Sequence, residues 1–296
     1  MFDVAKQVEF SLPYHDVVWL PHLTKKLTDM CWQQLSRTCG LTKFSYSTDR
    51  LISCDPNASR SIVTYLSPQA GVDWDEPSLQ IELLGNKIKR GYGDSGVNFY
   101  NAEQIADSAI TSCLRDALEV LTKVPTLATT VAALVKSLHI IRPANDEFDV
   151  SFSEPHIPFS IFVSIPSRRV PHGTLRVAEG IVHEAMHLQL TLVERVVKLI
   201  NPSREQYYSP WRGELRTAQG VLHALYVFRV IDQFLEAMLP LRYAEATYIR
   251  KRRDQIANQI AEVNSFQDCL DLTSEGQCFV QRLLLGNRHS VQSDLT

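Results

Sequence analysis

The sequence predicts a predominantly helical α+β protein, and two observations support this class. From about residue 174 onward, apolar residues recur almost continuously at helical spacing. Short extended runs come earlier, around residues 61–66, 79–90, 148–153 and 159–165. With 296 residues, of which 45% are hydrophobic, the chain is long enough to bury a large core.

The N-terminal part combines helices with a hairpin. A helix is predicted from Pro21 to Cys39, because apolar residues recur there at helical spacing. The dipeptide Gly85-Asn86 lies inside the extended run 79–90, which indicates a β-hairpin. Two further helices are predicted over residues 102–122 and 127–140.

The C-terminal part is predicted to contain helices over residues 174–200, 215–239 and 243–285, the last one broken near Asn264. We expect residues 1–145 to form an N-terminal part that packs on residues 146–296. The two parts are expected to make one compact unit.

Composition argues against several classes of protein. Thirty basic and 33 acidic residues give a net charge of −3, which does not favour binding to nucleic acid over a broad surface. The apolar runs are shorter than the roughly 20 residues of a membrane span, so we expect no membrane segment. The first residues lack the pattern of a signal peptide, and the six cysteines form no CxxC pair. These features predict a cytoplasmic protein with reduced cysteines.

The most specific pattern is His183-Glu184-Ala185-Met186-His187, an HExxH sequence within a predicted helix. Two histidines four residues apart share one helix face, so both imidazoles can bind one metal ion. Glu184 can reach a water molecule at the ion without binding the ion itself. The extended run 159–165 precedes this helix, and this order is typical of a zincin-like site. We expect a zincin-like core with the HExxH helix beside a short antiparallel sheet.

A third ligand must come from further along the chain, and two candidates stay open. His223 lies among apolar residues of the next predicted helix, where a polar side chain needs a partner. Glu214 lies at the expected start of that helix, where a glutamate also interacts favourably with the helix dipole.

Two arginines are candidates for binding a carboxylate near the metal. Arg216 precedes His223 by seven residues, which predicts the same helix face two turns away. Arg212 follows Trp211 in the preceding loop. An arginine can hold a carboxylate through two parallel hydrogen bonds, but an ordinary surface ion pair is the alternative for both residues.

Together these segments resemble the HExxH-motif peptide-modification proteins, which are bacterial proteins found with pathways for ribosomally made, post-translationally modified peptides. The resemblance covers about residues 148–234. It rests on the HExxH helix, on Ser209-Pro210-Trp211-Arg212 and on Gly220-Val221-Leu222-His223-Ala224.

The resemblance implies an Fe(II)- and 2-oxoglutarate-dependent hydroxylase that modifies a side chain of a precursor peptide. His183, His187 and His223 would hold the iron, and Arg216 or Arg212 would bind the distal carboxylate of 2-oxoglutarate. Glu184 would have a supporting hydrogen-bonding role.

Two other functions stay open at this point. A zinc peptidase would use Glu184 as the general base and either His223 or Glu214 as the third ligand. A binding module without catalysis would use a zincin-like surface to recognise a peptide. Imidazole ligands suit both iron and zinc, so the residues alone do not choose the metal.

Overall fold

The computed structural model describes residues 18–38, 61–66, 79–84, 89, 92, 96–106, 108–145, 149–154 and 159–285. The chain divides into two compact units. The sheet unit spans Thr24–Gln189, and the helical unit combines Met1–Leu23 with Leu190–Thr296. This division does not follow the boundary near residue 145 that the sequence suggested. In the described ranges, no helix combines the length and the apolar character that a membrane span requires.

A six-stranded mixed sheet is formed by the described residues of the sheet unit. Its strands are β1 (Ser61–Leu66), β2 (Leu79–Leu83), β3 (Asn98–Phe99), β4 (Ser137–Arg142), β5 (Ser151–Ser153) and β6 (Ser160–Ser164). The spatial order is β1-β2-β4-β6-β5, and β3 pairs with β4. The prediction of an antiparallel sheet is wrong, because β4 runs parallel to both β2 and β6. The chain passes from β4 to the edge strand β5 and then returns between them as β6, so β4 and β6 point the same way.

Strand β4 replaces the end of a predicted helix. The helix predicted over residues 127–140 ends at Leu134, and Ser137–Arg142 is extended. The first five residues of β4 are buried, with β2 on one side and β6 on the other. A strand buried on both faces loses the alternation of apolar and polar residues, so its sequence does not distinguish strand from helix.

The predicted hairpin over residues 79–90 is wrong in its second arm. Strand β2 forms, but it pairs with β1 and β4. Lys89, which was expected to be extended, is helical. The turn at Gly85-Asn86 lies outside the described residues.

Several helices come before β4 in the chain. Helix α1 (Pro21–Thr38) precedes β1, and α2 (Ala102–Ile105), α3 (Ser108–Thr122) and α4 (Pro125–Leu134) follow one another between β3 and β4. The predicted helix over residues 102–122 is therefore divided into α2 and α3. Asn101 caps α2, since its side chain accepts a hydrogen bond from the Gln104 amide at 2.8 Å.

Helix α5 (Gly173–Glu194) carries the HExxH sequence and packs closely on the sheet. Gly180 lies at the contact, where an added Cβ would be 3.2 Å from Val163 Cγ1 in β6. The same Cβ would lie 4.0 Å from the Cβ of Ser151 in the edge strand β5. The missing side chain therefore lets the helix approach both strands. The predicted position of the motif helix beside the sheet is confirmed.

In its described residues, the helical unit contains a two-stranded hairpin and three further α-helices. These are β7 (Gln206–Ser209), β8 (Glu214–Thr217), α6 (Ala218–Met238), α7 (Ala246–Glu262) and α8 (Ser274–Leu285). The helix predicted over residues 215–239 begins at Ala218, because Leu215–Thr217 pairs with β7. Thr217 ends the strand and caps the helix by accepting a hydrogen bond from the Gly220 amide. The predicted break near Asn264 is confirmed by a 3-10 turn over Asn264–Asp268.

Helix α6 is held by contacts along its length. Arg253 of α7 donates hydrogen bonds to Asp232 at 2.8 Å and to Glu236 at 3.0 Å. Arg229 donates to the carbonyl oxygen of Leu283 in α8 at 2.6 Å. These contacts, together with a buried apolar face, fix the helix that carries His223.

Candidate metal centre

The two motif histidines converge in the middle of α5. Their Nε2 atoms lie 3.2 Å apart, and the ring planes meet at 64° with centroids 4.8 Å apart. Four residues of helix separate them, which stacks the two rings on one face of the helix. The pairing expected from the HExxH spacing is therefore present.

The separation of the two nitrogens fits a shared metal ion. Two metal–nitrogen bonds of ~2.1 Å that span 3.2 Å enclose an angle of about 100°. This angle lies near the tetrahedral value and near the octahedral value of adjacent ligands. The distance between the two nitrogens is therefore compatible with two ligands of one zinc or Fe(II) ion.

Glu184 lies beside this pair, although it points into a much more enclosed space. The residue is only 2% exposed, and its Oε1 lies 3.8 Å from His183 Nε2. His183, by contrast, keeps 25% of its side chain exposed. A buried carboxylate next to a partly open pair of imidazoles can hold a proton close to a bound ion.

The helix is fixed by the residues between and around the histidines. Ile181, Val182, Ala185 and Met186 are fully buried. They occupy the positions of the helix that pack inward, which leaves the histidine positions at the border between core and solvent. The apolar spacing thus determines which face of α5 carries the imidazoles.

His223 lies on α6 in the helical unit, and its hydrogen-bond partner is a residue that sequence reasoning missed. Its Nε2 lies 3.1 Å from Glu194 Oε2, and Gln219 donates to the same oxygen at 2.8 Å. Both His223 and Glu194 are largely buried. Glu194 is the last residue of α5 and follows His187 by seven residues, a helical spacing that the sequence already displays.

Arg216 and Glu214 do not lie on a helix, so two predictions about them are wrong. Both belong to β8, whose four residues are all exposed. Arg216 Nη1 donates to Glu214 Oε1 at 2.9 Å. The Arg216 side chain also passes over Gly220, where an added Cβ would be 3.6 Å from its Nε. Because Thr217 ends the strand and caps α6, Arg216 precedes the helix instead of sharing a face with His223.

Arg212 lies in the turn between β7 and β8 and is exposed. Its backbone N–H donates to the carbonyl of Ser209 at 3.1 Å. Gly213 follows with φ of 67°, a left-handed conformation that glycine adopts without strain. Trp211, on the other side of Arg212, stacks on Phe228 with ring centroids 5.4 Å apart. The expected loop position of Arg212 is confirmed.

Within the described ranges, no group of three or more histidine, cysteine, aspartate or glutamate side chains is arranged to hold a metal ion. The structure brings together His183 with His187 in the sheet unit, and His223 with Glu194 in the helical unit. It pairs Arg216 with Glu214. No family model matches the chain, and no curated protein matches it in sequence.

Proposed function

We propose that the protein is a metal-dependent enzyme that modifies a peptide, and that the HExxH pair is its metal centre. The observation that carries this proposal is the convergence of the His183 and His187 Nε2 atoms at 3.2 Å. Two imidazoles held at this distance by one helix can supply two of the ligands of a metal ion. The remaining ligands are proposed from the sequence, with His223 as the third and Glu214 as its alternative.

The reaction proposed first is the hydroxylation of a peptide side chain with Fe(II) and 2-oxoglutarate. When bound, these two groups supply the oxidation of an unactivated C–H bond. In this proposal the chain contributes the ligands His183, His187 and His223, and a guanidinium for the distal carboxylate of the co-substrate. This reaction follows from the resemblance to the HExxH-motif peptide-modification proteins.

The surroundings of Arg216 give partial support to its proposed role in binding the distal carboxylate of 2-oxoglutarate. Its guanidinium already binds a carboxylate, that of Glu214, so the group has the right chemistry for 2-oxoglutarate. To bind the co-substrate, it must exchange Glu214 for that carboxylate. Almost half of the Arg216 side chain is exposed, and the Arg216–Glu214 pair is therefore weak enough to exchange.

Strand β5 supports the choice of a peptide as substrate. It forms one edge of the sheet in the described part of the chain and lies close to Gly180 of the motif helix. An extended peptide can add to a sheet edge through main-chain hydrogen bonds, whatever its sequence. A helix beside such an edge is the arrangement expected of a zincin-like core.

Zinc-dependent peptide hydrolysis is the second candidate, and the position of Glu184 favours it. A carboxylate that is 2% exposed and 3.8 Å from a ligand nitrogen is well placed as a general base. In this reaction Glu184 Oε1 accepts a proton from the attacking water and passes it to the leaving amine. Hydrolysis needs no arginine for a co-substrate, which agrees with the pairing of Arg216 to Glu214.

Anaerobic loading with Fe(II) and then 2-oxoglutarate tests the first reaction. We expect a visible charge-transfer band that is lost in His187→Ala and weakened in Arg216→Ala. Arg204→Ala is a matched control, because Arg204 is an exposed arginine outside the hairpin strands. Absence of the band in iron-loaded protein would contradict hydroxylation.

The variant Glu184→Gln separates the two reactions. It keeps the size of the side chain but cannot accept a proton. In hydrolysis, we expect the loss of at least about 100-fold in rate, since general base catalysis contributes roughly this factor. In hydroxylation, we expect the variant to keep the charge-transfer band and to consume 2-oxoglutarate.

A further inference from the structure

A cavity of about 550 Å³ opens in the helical unit, and the proposed metal chemistry does not use it. Strand β7 forms one wall, with Tyr207 and Tyr208. The other wall is the segment from Glu262 to Asp271, at the end of α7 and beyond. This volume lies within the range of roughly 300–1,000 Å³ found for ligand pockets.

The cavity wall is strongly acidic. It carries four carboxylates, those of Glu205, Glu262, Asp268 and Asp271, and its lining includes no lysine, arginine or histidine. Among the described residues, none of the four forms an ion pair. Their negative charges are therefore concentrated in a concave surface whose lining offers no basic side chain.

Asp271 is the buried member of the four, whereas Glu205, Glu262 and Asp268 are exposed. The residue is only 9% exposed, and its Oδ2 accepts a hydrogen bond from the Tyr207 hydroxyl at 2.9 Å. The pKa of Tyr207 is raised above its ordinary value, first by a hydrogen bond to Cys269 and then by burial and by Asp271. Its hydroxyl therefore stays neutral. A nearly buried carboxylate whose partner is a neutral hydroxyl is stabilised further by a cation.

The other surfaces of the cavity are aromatic and aliphatic. Tyr207 and Phe266 contact each other edge to face, with ring centroids 5.7 Å apart. Tyr208 is 51% exposed and Leu270 is 93% exposed, although both are large apolar side chains. Aromatic rings and carboxylates together match a ligand that has a cationic tip and an aliphatic stem.

We propose that this cavity binds a lysine or arginine side chain of a peptide. The exposed apolar residues of the lining, Tyr208 and Leu270, favour a peptide over a free amine, because neighbouring peptide residues can cover them. Leu215 extends this apolar surface, since it pairs with Tyr208 across the hairpin and is 58% exposed. The proposal concerns the helical unit alone and does not depend on the metal centre.

Fluorescence anisotropy with two short labelled peptides tests this proposal on the full-length chain. One peptide has a central lysine flanked by leucines, and the other has norleucine in its place, which removes only the charge. We expect the lysine peptide to bind at least about tenfold more tightly. Its affinity should decrease as salt is added, because the interaction is between charges.

Two variants locate the site. Asp271→Asn removes the negative charge but keeps an oxygen that can accept the hydrogen bond from the Tyr207 hydroxyl. Glu262→Gln removes the negative charge of a carboxylate at the end of α7. Each variant is expected to bind the lysine peptide about fivefold or more less tightly and to bind the norleucine peptide with unchanged affinity. Glu103→Gln is the matched control, because Glu103 is an exposed glutamate at the start of α2, outside the cavity lining.

Equal binding of the two peptides would overturn the proposal, as would an unchanged affinity in both cavity variants. Binding of free spermine without binding of the lysine peptide would overturn the choice of a peptide. Metal content measured on the same variants keeps this test separate from the proposed metal centre. We expect it to be unchanged in Asp271→Asn and Glu262→Gln.

Discussion

The sheet unit contains two groups of histidine and glutamate whose surroundings differ. They are the buried group, Glu82, Ser137 and His139, and the HExxH group, His183, Glu184 and His187. In the buried group the histidine is 1% exposed, whereas His183 keeps 25% of its side chain exposed. Residue types alone do not make a reactive site, because a substrate or an ion must also be able to reach the nitrogen atoms.

Both imidazole nitrogens of His139 lie close to polar atoms of neighbouring residues. His139 Nδ1 lies 3.3 Å from the Glu82 carbonyl oxygen, and Nε2 lies 3.5 Å from Ser137 Oγ. Ser137 donates a short hydrogen bond to the Glu82 carboxylate, and the imidazole stacks on Phe162 with centroids 4.5 Å apart. The buried group therefore stabilises the sheet, whereas in the HExxH group two nitrogens face each other at metal-ligand spacing.

The largest expected difference between the two groups is in metal binding. His183→Ala or His187→Ala should lower metal affinity by at least about 100-fold, because each removes one of the proposed direct ligands. His139→Gln should leave the affinity unchanged. Competition with a chromophoric chelator measures this. Retention of stoichiometric metal in both alanine variants would contradict the assignment of the HExxH group.

The second difference is in the pH dependence of stability. Burial lowers the pKa of His139 to about 4, although its backbone hydrogen bond to Glu82 opposes the shift. The unfolded chain has the ordinary pKa of about 6.5 and therefore takes up the proton first. The neutral His139 side chain therefore makes its full contribution to the free energy of unfolding above about pH 6.5. This contribution decreases toward pH 4, where the free energy of unfolding is lower by about 3 kcal/mol.

Urea unfolding at neutral pH and near pH 4.5 measures this effect. The buried carboxyl group of Glu82 lies 3.9 Å from Nε2 of the imidazole. We expect His139→Gln to reduce the loss of stability in acid, because glutamine does not titrate there. His183→Gln is the matched control for a partly exposed histidine. An equal loss in the wild type and in His139→Gln would show that His139 is not buried as a neutral side chain.

How far the sequence predicts these two groups depends on what each requires. The HExxH pair follows from helical spacing, so His183 and His187 could be predicted from the sequence. His139 carries no local pattern, because its environment is created by parallel pairing of β4 with two distant strands. The same pairing explains why residues 137–140 were predicted to be helical.

The position of Arg216 could not be predicted for a similar reason. Residues 215–217 have helix-compatible spacing, but β8 pairs with β7 and Thr217 caps α6. The spacing of apolar residues does not show whether residues 215–217 pair in a hairpin or add a turn to the helix. Glu194, in contrast, was available from the sequence as a residue two helical turns after His187.

A third prediction concerns the contact that holds the HExxH helix on the sheet. Gly180→Val should destabilise the protein by about 2 kcal/mol, since a Cβ at this position already lies 3.2 Å from Val163. Gly180→Ala should have a smaller effect, because a gain in helix propensity of roughly 1 kcal/mol offsets the closer contact. Thermal unfolding of both variants measures the difference. Equal stability of Gly180→Val and the wild type would contradict the close packing of α5 on β6.

The smallest expected effect is that of Arg216→Ala on stability. Arg216 and Glu214 are both about half exposed, so their ion pair should contribute less than about 1 kcal/mol. Chemical unfolding of the variant measures this contribution. A much larger loss would show that Arg216 has a structural role beyond its pair with Glu214.

X-ray absorption spectroscopy at the metal edge of the loaded protein tests the central claim most directly. The proposed centre predicts one tightly bound ion per chain, with at least two imidazole ligands in its first coordination sphere. His187→Ala should lower the imidazole count by one. A spectrum without imidazole scattering, or one that is unchanged in both His183→Ala and His187→Ala, would contradict the claim that the HExxH pair holds the metal.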